Sequence, residues 1–205
     1  RDWSSDVCSS DLNAAAGFPL VTGPAGVDGP VNHVLPAWDI ACGLYAALGV
    51  VAAVRHRDKS GAGQSISVAL SDVALSMAGH LGFLAEAQVN NVQRQRIGNY
   101  LYGSFGRDFA CSDGTVMVVA LTKRHWEGLV ARTNCRDQID QLSQLLGVGF
   151  TDESERYRHR ESICALLEPW FAARSVATVG SELGSSVVWA PYRTFSEVVK
   201  SLEAG

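Results

Sequence analysis

Asp39 has the plainest chemical potential in this chain. It stands directly before a long apolar segment, Ile40 to Val54, so a carboxylate is placed at the mouth of a helix. A helix N-terminus favours an anionic side chain. An ionised carboxylate, with an ordinary pKa of about 3.9, can act as a nucleophile toward activated acyl groups. The same placement suits a helix N-cap, where Asp is preferred, and the spacing alone leaves both readings open. His33, six residues earlier, follows Asn32 in a loop. An imidazole titrates near neutrality and can bind a substrate or move a proton, or it can simply be solvated. His80 and His125 fall in helical stretches and read as surface or packing residues. No His, Cys or carboxylate pair has metal-ligand spacing, so no metal is expected.

Several elements must position these groups. Gly17 to Pro36 is rich in Gly and Pro and reads as a loop approaching Asp39. Trp38 to about Arg57 reads as a helix with many small residues, Gly43 and Gly49 among them. Interior glycines cost a helix roughly 1 kcal/mol each relative to Ala, so they are expected to mark close packing. Gln64 to Leu70 alternates as a strand, with Ile66, Val68 and Leu70 on one face. Ser71 or Asp72 then caps a helix to about Gln88. Val89 to Gly106 is polar and glycine-containing, with Arg94 and Arg96, and reads as a linker followed by a functional loop. Arg107 to Leu121 reads as a hairpin turning at Ser112-Asp113-Gly114. Helices are expected from Lys123 to Ala131 (capped by Thr122), Arg136 to Leu146, Asp152 to Ala173, and Ser175 to Leu183. A short strand at Val187 to Trp189 and a last helix at Thr194 to Leu202 complete the pattern.

Length and composition narrow the function classes. The 205 residues suffice for one large or two small domains. A net charge of −4 argues against a general nucleic-acid or anionic-membrane binder. The uncharged run Ile40 to Val54 is shorter than the roughly 20 residues of a membrane span and reads as a buried core helix. No signal-peptide pattern precedes it. The five cysteines, Cys8, Cys42, Cys111, Cys135 and Cys164, are widely spaced and form no CxxC pair. They point to buried thiols in a reducing compartment, the cytoplasm. Residues 1–12, RDWSSDVCSSDL, read as the translation of a sequencing-adapter oligonucleotide. Natural sequence is therefore expected to start near Asn13, in an N-terminally truncated chain.

The ordered set Asp39, Gly43, Ala46, Ala47, Gly49, Arg55, His56, Arg57, Lys59, Gly61, Gly63 and Gln64 resembles the family III CoA-transferases, the CaiB/BaiF family. The resemblance runs from about Gly17 to the C-terminus. It implies an α/β fold: part of a Rossmann-like large domain over residues 13–92, a linker and active-site loop over 93–106, and a smaller α+β domain over 107–205. It implies an interlocked homodimer. The substrate would be an acyl-CoA, with coenzyme A as part of it and no permanently bound cofactor, nucleic acid or membrane.

The resemblance makes Asp39 the catalytic carboxylate, acylated by the thioester. It matches Gly98 to Gly106, GNYLYGSFG, to the family's active-site loop. There Tyr100, Tyr102, Gly103 and Ser104 are candidate substrate-binding residues. Only Gly103 and Gly106 stand near the family's usual glycine run, which suggests a more structured lid than a mobile glycine flap. Satisfied tyrosines in a packed linker remain the alternative. Arg55 to Lys59 could touch CoA phosphates, or serve as a solvated helix end whose cations complement the dipole. The residues that bind CoA are expected mostly upstream of this chain. The wording PVNHVLPAWD, GNYLYGSFGRDF and VMVVALTKRHW is similar to family members that move CoA between the two carboxyls of one unsaturated dicarboxylate. Transfer between two different acids and α-methylacyl-CoA racemisation are the competing activities.

Overall fold

The computed structural model describes residues 9–203. The described residues divide into two compact units, with the boundary after Gly98. Each is described by itself.

The first unit is helical among the described residues. It contains α1 (Ser9–Ala15), α2 (Phe18–Val21), α3 (Ala37–Ser60), α4 (Leu70–His80) and α5 (Phe83–Asn90). Its core is small: Leu12, Trp38 and Ala74 are buried, with Phe18, Leu70 and Met77 packed around them. Most of the stretch read as adapter-derived, Cys8 included, lies outside the described residues. Its last four residues open α1.

Three expectations for this unit differ from what is observed. The segment Gln64 to Ala69 has no strand partner and is irregular. A strand needs a neighbour to pair its backbone, and the described residues of this unit offer none. Val68 instead runs along α3, where its carbonyl lies 3.8 Å from the Cys42 thiol, and Ile66 crowds Gly49. The helix expected from residue 71 to 88 breaks at Leu81 and Gly82 into α4 and α5, and α4 starts without a side-chain cap.

α3 is also not a buried core helix. Trp38 is its one buried residue, while Leu44, Leu48 and Val51 are 68%, 65% and 66% exposed. Its apolar residues run all round the cylinder, and α1, α4 and the 62–69 segment meet only part of it. At 24 residues, with a mean hydropathy of 1.8 over its most apolar window, it is long and apolar enough to cross a membrane by length and composition. Core helices of soluble proteins pass the same test.

The second unit is an α+β domain with a larger core. β1 (Phe105–Ala110), β2 (Thr115–Ala120) and β3 (Val188–Pro191) form an antiparallel sheet in the order β1-β2-β3. β1 and β2 are a hairpin with Ala110 opposite Thr115, turning at Ser112 to Gly114 as its sequence predicts. Alternation in β2 turns Val116, Val118 and Ala120 inward. The helices are α6 (Lys123–Arg132), α7 (Arg136–Leu146), α8 (Glu153–Arg158), α9 (Arg160–Ala172), α10 (Val176–Leu183) and α11 (Phe195–Glu203). Thr122, Asp152 and Ser175 each cap a helix by accepting a backbone N–H, at 3.2, 2.8 and 3.1 Å. Each such cap is worth about 1 kcal/mol. The single helix expected from Asp152 is broken at His159 into α8 and α9. Phe109 stacks on Phe171, ring centroids 4.2 Å apart, which fastens β1 to α9.

Candidate active site

Asp39 is the third residue of α3 and is exposed. The N-cap position belongs to Pro36, which makes no side-chain cap, so Asp39 is not the N-cap. Pro36 fixes φ at the helix entrance, and its carbonyl accepts from the amide of Ile40 at 3.2 Å. The first-turn amides of a helix have no intrahelical partners, and a carboxylate there is favoured by the dipole. Trp38, one position earlier, points into the core against Phe18, ring centroids 4.8 Å apart. The step of about 100° per residue therefore turns Asp39 outward.

His33 lies in the loop between α2 and α3 and is exposed. With Asn13, Asn32, Leu35 and Pro36 it lines a small cavity of about 80 Å³. The Asn13 amide donates to the Asn32 side-chain carbonyl at 3.0 Å, which ties this loop to α1. Arg55 to Lys59 lie exposed in the last turns of α3, where Arg57 donates to Asp58 at 2.9 Å.

Tyr100, Tyr102, Gly103 and Ser104 belong to the second unit. Their segment is closed on itself, since the Leu101 amide donates to the Gly106 carbonyl at 2.8 Å. Gly103 sits at φ +76 with open space where a Cβ would be. Gly106 has a different task. It lies in β1, and a Cβ there would meet Leu101, the Val118 carbonyl and Val119 at 3.1 to 3.3 Å. One glycine thus makes the turn and the other lets the strands close. The Ser104 hydroxyl is buried and makes no hydrogen bond among the described residues.

Tyr100 is held between two arginines, which lie 5.2 Å (Arg107) and 5.1 Å (Arg160) from its ring centroid. Its hydroxyl accepts from Arg107 Nη1 at 3.2 Å, and the same nitrogen donates to Glu168 at 3.0 Å. Burial, with the Cys164 thiol nearby, raises the Tyr100 pKa and keeps the phenol protonated. Burial likewise pushes Cys164 up to about 11. Tyr102 is about half exposed and packs on Tyr157, ring centroids 5.3 Å apart. Arg160 also covers Tyr157 at 4.6 Å. Sequence reasoning missed Arg107 and Arg160. Arg107 follows the loop directly, which is a usable signal, whereas Arg160 is more than fifty residues away and gives none.

Asp39 and His33 thus lie in one unit, and the tyrosine loop lies in the other.

Residues 8–204 match the family model described as CoA-transferase family III. Over 201 residues, 97% of this chain, the sequence is 48% identical to the 2-methylfumaryl-CoA isomerase of Chloroflexus aurantiacus, of which it covers 49%. It is 29% identical over 194 residues to a succinyl-CoA:mesaconate CoA-transferase of Haloarcula marismortui, covering 93% of this chain and 46% of that one. The chain spans about half the length of these relatives. Among solved structures, a CaiB/BaiF family protein from Brucella suis superposes with a TM-score of 0.66 at 22% identity, over 96% of this chain and 51% of that one. A hypothetical protein from Mycobacterium tuberculosis superposes with a TM-score of 0.76 at 20% identity, over 98% and 52%.

Proposed function

The chain belongs to CoA-transferase family III, and from that membership we propose that it carries the reacting carboxylate, Asp39, of an enzyme that moves coenzyme A between carboxyl groups. The substrate is 2-methylfumaryl-CoA (mesaconyl-CoA), and the transfer runs from C1 to C4 of the same molecule. The observation that carries this reading is the likeness to the Chloroflexus isomerase along almost the whole chain. The exposed position of Asp39 in the first turn of α3 agrees with it.

Each step balances without an outside reagent. The Asp39 carboxylate attacks the thioester carbonyl, the C–S bond breaks, and CoA leaves as the thiolate. The product is a mixed anhydride between Asp39 and the substrate. The thiolate then attacks the aspartyl carbonyl and releases the dicarboxylate, leaving an aspartyl-CoA thioester. The other carboxylate of the dicarboxylate attacks that thioester, and the thiolate returns to the substrate side of the second anhydride. C4-thioester and the regenerated Asp39 carboxylate result. A carboxylate suits this role because both of its acyl adducts are activated and reversible. Retaining the free dicarboxylate while it turns over calls for an ordered enclosure. The closed turn from Leu101 to Gly106, with Tyr100 protonated and Ser104 unpartnered, supports assigning this loop to the substrate's carboxylates. His33 is proposed as a further contact.

The finer architecture belongs to the same proposal. The first unit is part of a Rossmann-like large domain, the working enzyme is an interlocked homodimer in the cytoplasm, and no cofactor is permanently bound. Neither nucleic acid nor membrane is a partner. Transfer between two acids is the second reading, favoured by the succinyl-CoA:mesaconate relative.

One experiment separates these readings. The intact enzyme is incubated with mesaconyl-C1-CoA and labelled free mesaconate, and the C4-thioester is isolated. Unlabelled C4-thioester supports internal transfer, and labelled product supports the intermolecular reaction. Hydroxylamine trapping followed by mass spectrometry should find a hydroxamate at Asp39. Turnover without that adduct would overturn both.

A further inference from the structure

Arg96 gathers the loop that leads to Asp39. Its Nε donates to the Leu20 carbonyl at 3.1 Å, Nη1 to that of Val27, and Nη2 to those of Pro19, at 2.9 Å, and Gly29. A guanidinium offers five donors in one planar fork, and four carbonyls separated from it by 67 to 77 positions converge on this one. The loop can bend round a single point because it turns at Gly23, Gly26 and Gly29, all at positive φ. Two further bonds continue the frame. The Pro19 carbonyl also accepts from the Val31 amide at 3.0 Å, and the Gly98 amide donates to the Gly23 carbonyl at 3.0 Å.

The frame reaches the candidate nucleophile through aromatic rings. Arg96 holds two consecutive carbonyls of α2, those of Pro19 and Leu20, and the first residue of that helix is Phe18. Phe18 packs on Trp38, which immediately precedes Asp39. Phe18 also meets Phe83 at 5.6 Å, and Arg94 lies over that ring at 4.2 Å while pairing with Glu86 at 2.7 Å. Both arginines of the 93–96 segment therefore brace the first turn of α3, one through carbonyls and one through rings.

We propose that Arg96 is a positioning residue for the transfer reaction: by fixing α2 and the loop over 22–31 it sets where the first turn of α3 presents Asp39. This rests on the proposed role of Asp39 as the acylated group. A lysine could not substitute, because its three donors share one nitrogen and cannot span four separated carbonyls. Misplacement of a reacting group by about 1 Å can cost on the order of a hundredfold in rate.

The test compares Arg96→Ala, Arg96→Lys and Asp39→Asn in the intact protein. Both Arg96 variants should lose on the order of a hundredfold in kcat with KM little changed. Amide exchange should quicken at Val31 and Gly98 and stay slow in β1 and β2. Guanidinium ion at low concentration should return part of the rate to Arg96→Ala and none to Arg96→Lys. If Arg96→Ala does not fold, Arg96→Lys carries the same readouts. A near-normal kcat in either variant, or a fall in kcat with unchanged exchange at Val31, overturns the proposal. Asp39→Asn separates the two levels. An active Asp39→Asn sinks the aspartyl mechanism itself, whereas an inactive one beside a normal Arg96→Ala sinks only the positioning role.

Discussion

Phe18 and Trp38 meet with ring centroids 4.8 Å apart and planes tilted by 48°. That contact decides which way the first turn of α3 faces. Trp38 is 5% exposed and anchors the helix inward, so its neighbour Asp39 is left at the surface. A nucleophile needs both a fixed backbone and an open side chain, and adjacent helical positions provide them together.

Removing the carboxylate should separate its chemical role from a structural one. Asp39→Asn keeps the shape of the first turn and should fold normally, since the side chain is exposed. Turnover should fall by roughly a thousandfold or more, as expected for loss of a covalent nucleophile. Thermal melting and turnover measured on the same preparation check this. Melting that collapses with activity would point to a structural role.

Ser104→Ala should raise stability and lower activity at once. The hydroxyl is buried and unpartnered, and such a group costs a fold about 1 kcal/mol or more. Alanine removes that cost, so the urea midpoint should rise. KM for the acyl-CoA should also rise if the hydroxyl meets the substrate. Unchanged kinetics would remove Ser104 from the site.

Alkali should weaken the second unit through Cys164. Burial raises its pKa from 9.0 to about 11, so the folded thiol holds its proton more tightly than the unfolded one. Its contribution is full below about pH 9 and is lost as pH rises toward 11, by at most about 2–3 kcal/mol. Tyr100, raised by the same cause, adds in the same direction. Urea midpoints measured near pH 8 and near pH 10.5 should differ more in the native sequence than in Cys164→Ala.

Two glycine substitutions should have opposite signs. A Cβ on Gly128 would lie 2.8 Å from the Ser186 backbone carbonyl, so Gly128→Ala should destabilise by about 1–3 kcal/mol. Gly43, inside α3, has open space at its Cβ position, so Gly43→Ala should stabilise by about 0.5–1 kcal/mol through helix propensity. Both are measured by urea unfolding of this chain. Destabilisation by Gly43→Ala would show that another element lies against that face of α3.

Local signals were legible where the physics is local. Thr122, Asp152 and Ser175 cap helices with oxygens two or three residues from the amides they bind, and a short window of sequence contains both partners. The hairpin turn at Ser112 to Gly114 is equally local. The Gln64 to Leu70 alternation misled because its period describes a face and says nothing of a neighbouring strand. The smallness of Gly43 and Gly49 suggested packing at both. Only Gly49 has a close neighbour, Ile66.

The sequence by itself determined the family, the identity of the candidate carboxylate and its place in the first turn of a helix. Ordered residue types and short spacings encode those directly. Tertiary structure alone decided that Asp39 faces outward while Trp38 faces in, that Gly106 closes two strands, and that Tyr100 sits between Arg107 and Arg160. It alone brought four carbonyls, two from α2 and two from the loop after it, to Arg96. The reason is that hydrogen bonds and ring contacts depend on separations of a few ångströms. The chain reaches those only after dozens of intervening residues have folded, and no short pattern of residue types records that distance.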